Sequence, residues 1–199
     1  MGNREPEEAG EAAAPASLAG AAPEIALATL APWRFKVRGE LGMVYIGVIG
    51  ESAPPPHLLE TAEAVGRCVA EAGAVLVCGG MGGVMEAACR GAQAAGGVTI
   101  GILPGPDRRD GNAYLTHAIP TGLGYARNIL VVRSSDALIA VGGKFGTLSE
   151  IAYAKIESRP AIGLDTWTLE RANLPDPIVR ATSPRDAVEK AFAACGTSL

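Results

Sequence analysis

The alternation of short apolar runs with longer amphipathic stretches constrains the fold of this chain more than any other feature of its sequence. The apolar runs indicate strands at 43–49, 74–78, 98–103, 137–141 and 161–164. The stretches between and after them indicate helices at 57–72, 83–95, 125–133, 147–156 and 184–194, the last capped by Ser183. Near-continuous apolar strands that alternate with helices predict a parallel sheet covered on both faces. We therefore expect a doubly wound, Rossmann-like α/β fold in a single domain.

The first 42 residues differ in composition from the rest of the chain. Up to position 32 they are rich in Ala, Glu, Pro and Gly and show no sustained periodicity, which is typical of disorder. The acidic start, with Glu5 and Glu7, and the lack of a compact apolar segment argue against a secretory signal. We expect a disordered or non-native extension over 1–42 and a folded domain over 43–199, with Met43 as a candidate biological start.

Charge and cysteine spacing exclude several classes of function. The formal net charge is −4, which disfavours non-specific binding to nucleic acid. No uncharged apolar run approaches the roughly 20 residues that a membrane helix needs. The four cysteines lie far apart and only two histidines are present, a poor basis for a zinc site or a disulfide framework. We expect a cytoplasmic protein with no metal, no resident cofactor, no nucleic-acid partner and no membrane partner.

A Gly-Gly-x-x-Gly pattern occurs twice, each time between a predicted strand and a predicted helix. The two copies consist of Gly79, Gly80 and Gly83, and of Gly142, Gly143 and Gly146, the second followed by Thr147. Such a turn directs backbone N–H groups and the positive end of a helix at one point, which suits a phosphate. Ligands of an open parallel sheet bind beyond the carboxyl ends of the strands, where both turns fall. The two copies therefore predict one phosphate-binding pocket, although glycines also serve simply to allow tight turns.

A carboxylate, Glu150, stands one turn into the helix after the second glycine turn. A phosphate cradle alone does not need it, so it suggests chemistry beside a bound phosphate. The run Thr147 to Glu150 is also an S/T-x-x-E capping box, in which the glutamate only returns to the start of its helix. Arg127 could be its functional partner or an ordinary surface arginine, and Lys144 could be a solvated loop lysine. A carboxylate that faces Arg127 favours a functional site, and one that faces the backbone of Thr147 favours a cap.

Several segments resemble the LOG family, a group with a Rossmann-like fold. Residues 142–150 resemble its P-G-G-x-G-T-x-x-E signature, and residues 125–128 resemble the Arg-Lys motif on the preceding helix. The loops at 79–86 and 50–52 resemble the family's earlier glycine loop and first strand-end loop. The resemblance spans about 43–164 and implies a homo-oligomer. The family includes cytokinin-activating nucleoside 5′-monophosphate phosphoribohydrolases, and a related branch carries the molybdenum cofactor without turning it over.

The chain departs from the family pattern at several positions, among them Ala126, where the enzymes often have Glu. Gly142 stands in place of the proline and Lys144 in place of the second glycine, unless the loop contains one inserted residue. Asn128 replaces the lysine of the Arg-Lys motif, and Ser149 replaces the first of two acidic residues. These changes indicate a side branch rather than the plant-type enzymes.

The resemblance implies a role for each matching residue. Glu150 would stabilise a ribosyl cation or activate the attacking water, and Arg127 would orient the phosphate, the ribose or Glu150. The implied phosphate- and nucleotide-binding residues are Gly142, Gly143, Gly146, Thr147, Gly79, Gly80, Gly83, Gly50, Ser52 and Asn128. Two functions remain open at this point: hydrolysis of a nucleoside monophosphate, and non-catalytic binding of a phosphorylated ligand such as a pterin-type cofactor or a signalling nucleotide.

Overall fold

The computed structural model of the protein describes residues 1–2, 42–170, 172–173 and 175–196. The expected extension over 1–42 lies almost entirely outside these described residues, so its organisation stays a prediction. From residue 42 onward the described residues form seven strands and five α-helices, and most of the strands are followed by a helix.

Within the described residues, seven parallel strands form one sheet in the order β4-β3-β2-β1-β5-β6-β7. The strands are β1 (Tyr45–Gly50), β2 (Val75–Cys78), β3 (Thr99–Leu103), β4 (His117–Pro120), β5 (Ala137–Val141), β6 (Ala161–Leu164) and β7 (Ile178–Arg180). β1 pairs with β2 on one side and with β5 on the other, where Gly50 lies opposite Val141. The strand order therefore reverses between β1 and β5, the place where a doubly wound sheet opens a crevice for ligands.

Helices cover both faces of the sheet. They are α1 (Pro56–Glu71), α2 (Val84–Ala94), α3 (Asn128–Arg133), α4 (Phe145–Ile156) and α5 (Pro184–Ala194). α1, α2 and α5 share one hydrophobic cluster with the sheet, and α3 and α4 share the other. Along β5, Ile139 belongs to the first cluster and Leu138 to the second, and both are fully buried. Burying one such side chain contributes roughly 1.5–3 kcal/mol to stability. The predicted doubly wound, Rossmann-like α/β fold is confirmed.

α1 and α2 pack with their backbones in contact. A Cβ added to Gly66 would overlap the carbonyl of Ala88, and one added to Gly91 would overlap the carbonyl of Glu63. Glu63 also pairs with Arg90 of α2 at 2.7 Å. Because α1 follows β1 and α2 follows β2, this contact joins the helices that begin at two neighbouring strand ends.

The structure differs from the predicted elements mainly at the edges of the sheet and around the second glycine turn. β4 and β7 were not predicted. The predicted helix over 125–133 is divided into a 3₁₀ turn, Gly124–Arg127, and the helix α3. α4 begins at Phe145, two residues before the predicted start, because the glycine turn ends at Gly143 with φ +119 and Lys144 is extended. Among the described residues, none of the helices combines the length and apolarity that crossing a bilayer requires.

Candidate functional site

A cavity of about 510 Å³ lies above the carboxyl ends of the central strands. Its walls come from the segments that follow β1, β2, β3 and β5 and from the turn before α3. The predicted site residues that line it are Gly50, Ser52, Arg127, Asn128, Gly146, Thr147 and Glu150. These residues are distant along the chain, and the crossovers of the parallel sheet bring them to one place.

The remaining predicted glycines are not among the residues that line this cavity. Gly80, Gly83, Gly142 and Gly143 all have positive φ, so they shape the two turns through their backbone. Gly79 has a different task, since a Cβ there would lie 2.6 Å from Cζ of Arg127. The absence of a side chain at Gly79 therefore leaves the space in which the guanidinium of Arg127 lies.

Arg127 and Glu150 form a buried pair at the edge of the cavity. Nη1 of Arg127 lies 3.5 Å from Oε1 of Glu150, and the two side chains are only 9% and 7% exposed. Nε of Arg127 is buried without a hydrogen-bond partner among the described residues. A buried donor without a partner is costly and uncommon in native structures.

The position of Glu150 rules out the capping-box alternative. α4 begins at Phe145, and its N-cap is Lys144 rather than Thr147. Glu150 is therefore well inside the helix, and its carboxylate faces Arg127 instead of the start of α4.

Burial has the largest effect on the pKa values of this pair. It raises the pKa of Glu150 to about 8, although the charge of Arg127 acts in the opposite direction. It also lowers the pKa of Arg127, against the charge of Glu150. Near neutral pH the carboxyl of Glu150 is therefore mostly protonated. A carboxyl kept neutral beside a cation in a cavity is typical of acid–base sites.

The protein should lose stability as the pH rises from about 4.5 to about 8. Unfolded Glu150 releases its proton near its ordinary pKa of 4.5, whereas folded Glu150 keeps its proton until the higher pKa of about 8. In that window the folded state binds more protons, so the free energy of unfolding falls by at most about 1.4 kcal/mol per pH unit. Urea denaturation at several pH values measures the slope. The variant Glu150→Gln should show a shallower slope, and an equal slope in both proteins would contradict the raised pKa.

Asn128 and Ser149, which both depart from the family signature, contact each other. Nδ2 of Asn128 donates to Oγ of Ser149 at 3.0 Å and to the carbonyl of Gly146 at 3.3 Å. Oγ of Ser149 donates to the same carbonyl at 2.6 Å. The two replacements thus form one uncharged network that holds the first turn of α4. The N–H groups of that turn keep no acceptor within the helix, as at every helix start.

Sequence reasoning did not assign several residues that line the cavity. They are Glu51, Met81, Met85, Pro104, Gly124, Tyr125 and Lys144. Lys144, which its sequence context could place in solvent, has its amine 2.9 Å from Oε2 of Glu51. Most of these residues lie inside the segments that resemble the family's loops and motifs, but their residue types did not mark them as site residues. Among the described residues, no three His, Cys, Asp or Glu side chains group together in a way that could hold a metal ion.

A larger cavity, of about 810 Å³, opens at the opposite ends of the central strands, before β1, β5 and β6 begin. Its charged side chains are Arg133, Asp136 and Arg159. Arg159 lies 3.7 Å from Asp136, and Arg133 lies 2.8 Å from Glu157, so neighbouring groups neutralise these charges. The three cavity side chains are also at least 36% exposed. The smaller cavity, with its buried pair, is therefore the better candidate for a functional site.

Comparison with known sequences gives both a family and individual relatives. Residues 43–188 match the model of the SLOG cluster4 family. An uncharacterized protein of Archaeoglobus fulgidus is 45% identical over 123 residues, which are 61% of this chain and 80% of that protein. A cytokinin riboside 5′-monophosphate phosphoribohydrolase of Mycobacterium tuberculosis is 34% identical over 131 residues, 58% of this chain and 68% of that protein.

Solved structures with the same fold include two proteins linked to the molybdenum cofactor. The molybdenum cofactor binding protein of Rippkaea orientalis matches with a TM-score of 0.70 and 38% identity, over 76% of this chain and 96% of that one. The molybdenum cofactor carrier protein of Chlamydomonas reinhardtii matches with a TM-score of 0.69 and 33% identity, over 78% of this chain and 99% of that one.

Proposed function

The chain belongs to the SLOG cluster4 family, a LOG-like family related to molybdenum cofactor carrier proteins, and we propose that it is a phosphoribohydrolase acting on a nucleoside 5′-monophosphate. The observation that carries this proposal is the buried pair of Arg127 and Glu150 beside the start of α4. The proposed reaction splits the N-glycosidic bond and yields a free base and ribose 5-phosphate.

The phosphate would bind at the start of α4. Gly146 and Thr147, in the first turn, line the cavity together with Lys144. The N–H groups of a first helical turn and the positive end of the helix dipole favour a phosphate there. Arg127 supplies a second, independent argument, because this largely buried cation lines the same cavity. A bound phosphate or ribose oxygen would accept hydrogen bonds from its guanidinium.

The base would lie on the opposite side of the cavity, above β2 and β3. Met81, Met85, Pro104 and Tyr125 line that side and offer apolar and aromatic surface to a flat ring. From β3 to β5 the cavity crosses three strand spacings, or about 14 Å. A cavity of about 510 Å³ also falls within the range of small-molecule sites. These dimensions suit an extended ligand with a ring at one end and a phosphate at the other.

Glu150 would act between these two ends. N-glycoside cleavage passes through a ribosyl cation, which a nearby carboxylate stabilises. The ionised carboxylate would take a proton from water as the water oxygen bonds to C1′. The C1′–N bond breaks and its electron pair leaves with the base, which takes up a proton from solvent while Glu150 returns its own proton to solvent. Because burial raises the pKa of Glu150, its ionised form is a stronger base than an ordinary carboxylate.

A carrier function is the second candidate, and a specific observation favours it. The uncharged network of Asn128 and Ser149 replaces charged residues of the LOG signature, and both solved structures cited above concern the molybdenum cofactor. A carrier would hold a phosphorylated pterin in the same cavity without turning it over. The cytoplasmic location and the homo-oligomer that the resemblance implies stay predictions.

A measurement of turnover distinguishes the phosphoribohydrolase from the carrier. The full chain is incubated with the 5′-monophosphates of adenosine, guanosine, cytidine and uridine, and the released base is measured by chromatography. We expect release from at least one of them and none from the matching nucleosides, which lack the phosphate. Binding of ribose 5-phosphate, measured by calorimetry, tests the phosphate site alone. Binding without release from any monophosphate would favour the carrier, and no binding of any phosphate compound would contradict both candidates.

A further inference from the structure

Glu51 places a carboxylate in the cavity, close to the turn that precedes α4. Its carbonyl accepts a hydrogen bond from the N–H of Val84 at 3.1 Å, which fixes the backbone of Glu51 against the start of α2. Its side chain lines the cavity and is only 12% exposed. Oε1 lies 3.5 Å from the position that a Cβ on Gly142 would take, and Oε2 lies 2.9 Å from Nζ of Lys144. The carboxylate therefore lies against the second glycine turn, with Lys144 as its partner.

This position conflicts with a simple phosphate cradle. The start of α4 and the amine of Lys144 both favour a negative charge, and the carboxylate of Glu51 already supplies one. A phosphate bound at the same turn would carry charge of the same sign as Glu51, and like charges at close range repel. Arg127, a largely buried cation that lines the cavity, is a separate indication that an anionic ligand group enters it. A phosphate that reaches the amine of Lys144 therefore meets the carboxylate of Glu51 there.

We propose that Lys144 is a phosphate-binding residue and that the ligand's phosphate takes the place of the Glu51 carboxylate at its amine. The proposal depends on the phosphate site assigned under the proposed function and adds two residues to it. Lys144 can make the exchange because its side chain is 71% exposed and free to turn, whereas Glu51 is largely enclosed.

The exchange selects the kind of anion that binds. A ligand gains the contact with Lys144 only if it attracts the amine more strongly than a carboxylate does. A terminal phosphate monoester, with close to two negative charges at neutral pH, meets this condition. A carboxylate ligand or a phosphodiester, with one negative charge, does not. Glu51 therefore acts as a filter that favours terminal phosphate monoesters over other anions.

Calorimetric titration of the full chain with ribose 5-phosphate tests the proposal. The variant Glu51→Gln should bind about tenfold more tightly, and Lys144→Gln about tenfold more weakly, because each changes one charge-assisted contact. Glu86→Gln is the matched control. It removes the same charge from the first turn of α2, at a residue that is not among those lining the cavity. Its affinity should stay within about twofold of the parent.

The outcomes separate this inference from the proposed function. If neither the parent nor any variant binds ribose 5-phosphate, the phosphate site itself is wrong. If the parent binds but Glu51→Gln binds equally or more weakly, the competition with Glu51 is refuted and the phosphate site is kept. If Glu51→Gln and Glu86→Gln gained affinity equally, the effect would come from net charge alone. That outcome would also refute the exchange.

Discussion

The variant Glu150→Gln is expected to lose base release by about 10²- to 10⁴-fold, the usual contribution of a general base. Glutamine has the shape of the protonated glutamate, so it fits the same buried space beside Arg127. Binding of ribose 5-phosphate should therefore stay within about twofold, since the phosphate contacts belong to other residues. Single-turnover release of the base measures the first quantity and calorimetry measures the second.

A charge change on the same helix provides the control. Glu157, at the end of α4, pairs with Arg133 and is not among the residues lining the cavity. Glu157→Gln should leave base release unchanged. In the parent protein kcat/KM should rise with pH up to about 8, as Glu150 ionises. Undiminished release by Glu150→Gln would refute its role, and a profile that falls over that range would assign it the role of an acid instead.

The variant Gly79→Ala should damage the site, although Gly79 itself is not among the residues that line the cavity. A methyl group at this position would lie 2.6 Å from Cζ of Arg127, closer than real contacts allow. The guanidinium must then move, and its approach to Glu150 is lost. We expect ribose 5-phosphate to bind at least about tenfold more weakly and the free energy of unfolding to fall by about 1–3 kcal/mol, as in overpacked interiors. Calorimetry and urea denaturation measure these two effects.

Gly82→Ala is a matched control in the same loop. Neither Gly79 nor Gly82 has a positive φ, so the backbone tolerates alanine at both positions. A methyl on Gly82 would meet Oε2 of Glu86 at 3.6 Å, which is an ordinary contact. This variant should bind and fold as the parent does. If the two variants behave alike, the packing of Arg127 on Gly79 does not position the guanidinium.

The central strands could be predicted because residues that are buried on both faces of a sheet form an uninterrupted apolar run in the sequence. β5 and β6 have the predicted bounds, and all of their residues are buried. β4 and β7 gave no such signal. Each lies at an edge of the sheet and exposes most of its residues, so neither forms an apolar run. The early start of α4 was also missed, because Lys144 is not a residue that usually caps a helix.

The candidate site was only partly predictable for a related reason. Arg127 and Glu150 belong to motifs that can be recognised from their spacing along the sequence. Glu51 and Lys144 follow different strands, and β1 and β5 become neighbours only when the sheet forms. No local sequence pattern indicates that Glu51 and Lys144 lie close together. The apolar wall near Met85 has the same origin, since its residues come from three separate segments.

The backbone contact between α1 and α2 determines where this domain can move. Helices that meet through long side chains can adjust by small rotamer changes, and helices whose backbones are in contact have fewer side chains between them to adjust. The segments after β1 and β2 are anchored to these helices, and the N–H of Val84 ties them together through the carbonyl of Glu51. That wall of the cavity is therefore tied to a close-packed pair of helices, whereas Lys144 and the ring of Phe145, next to it at the start of α4, are exposed. If the cavity closes over a ligand, we expect these two exposed side chains to move more than that wall.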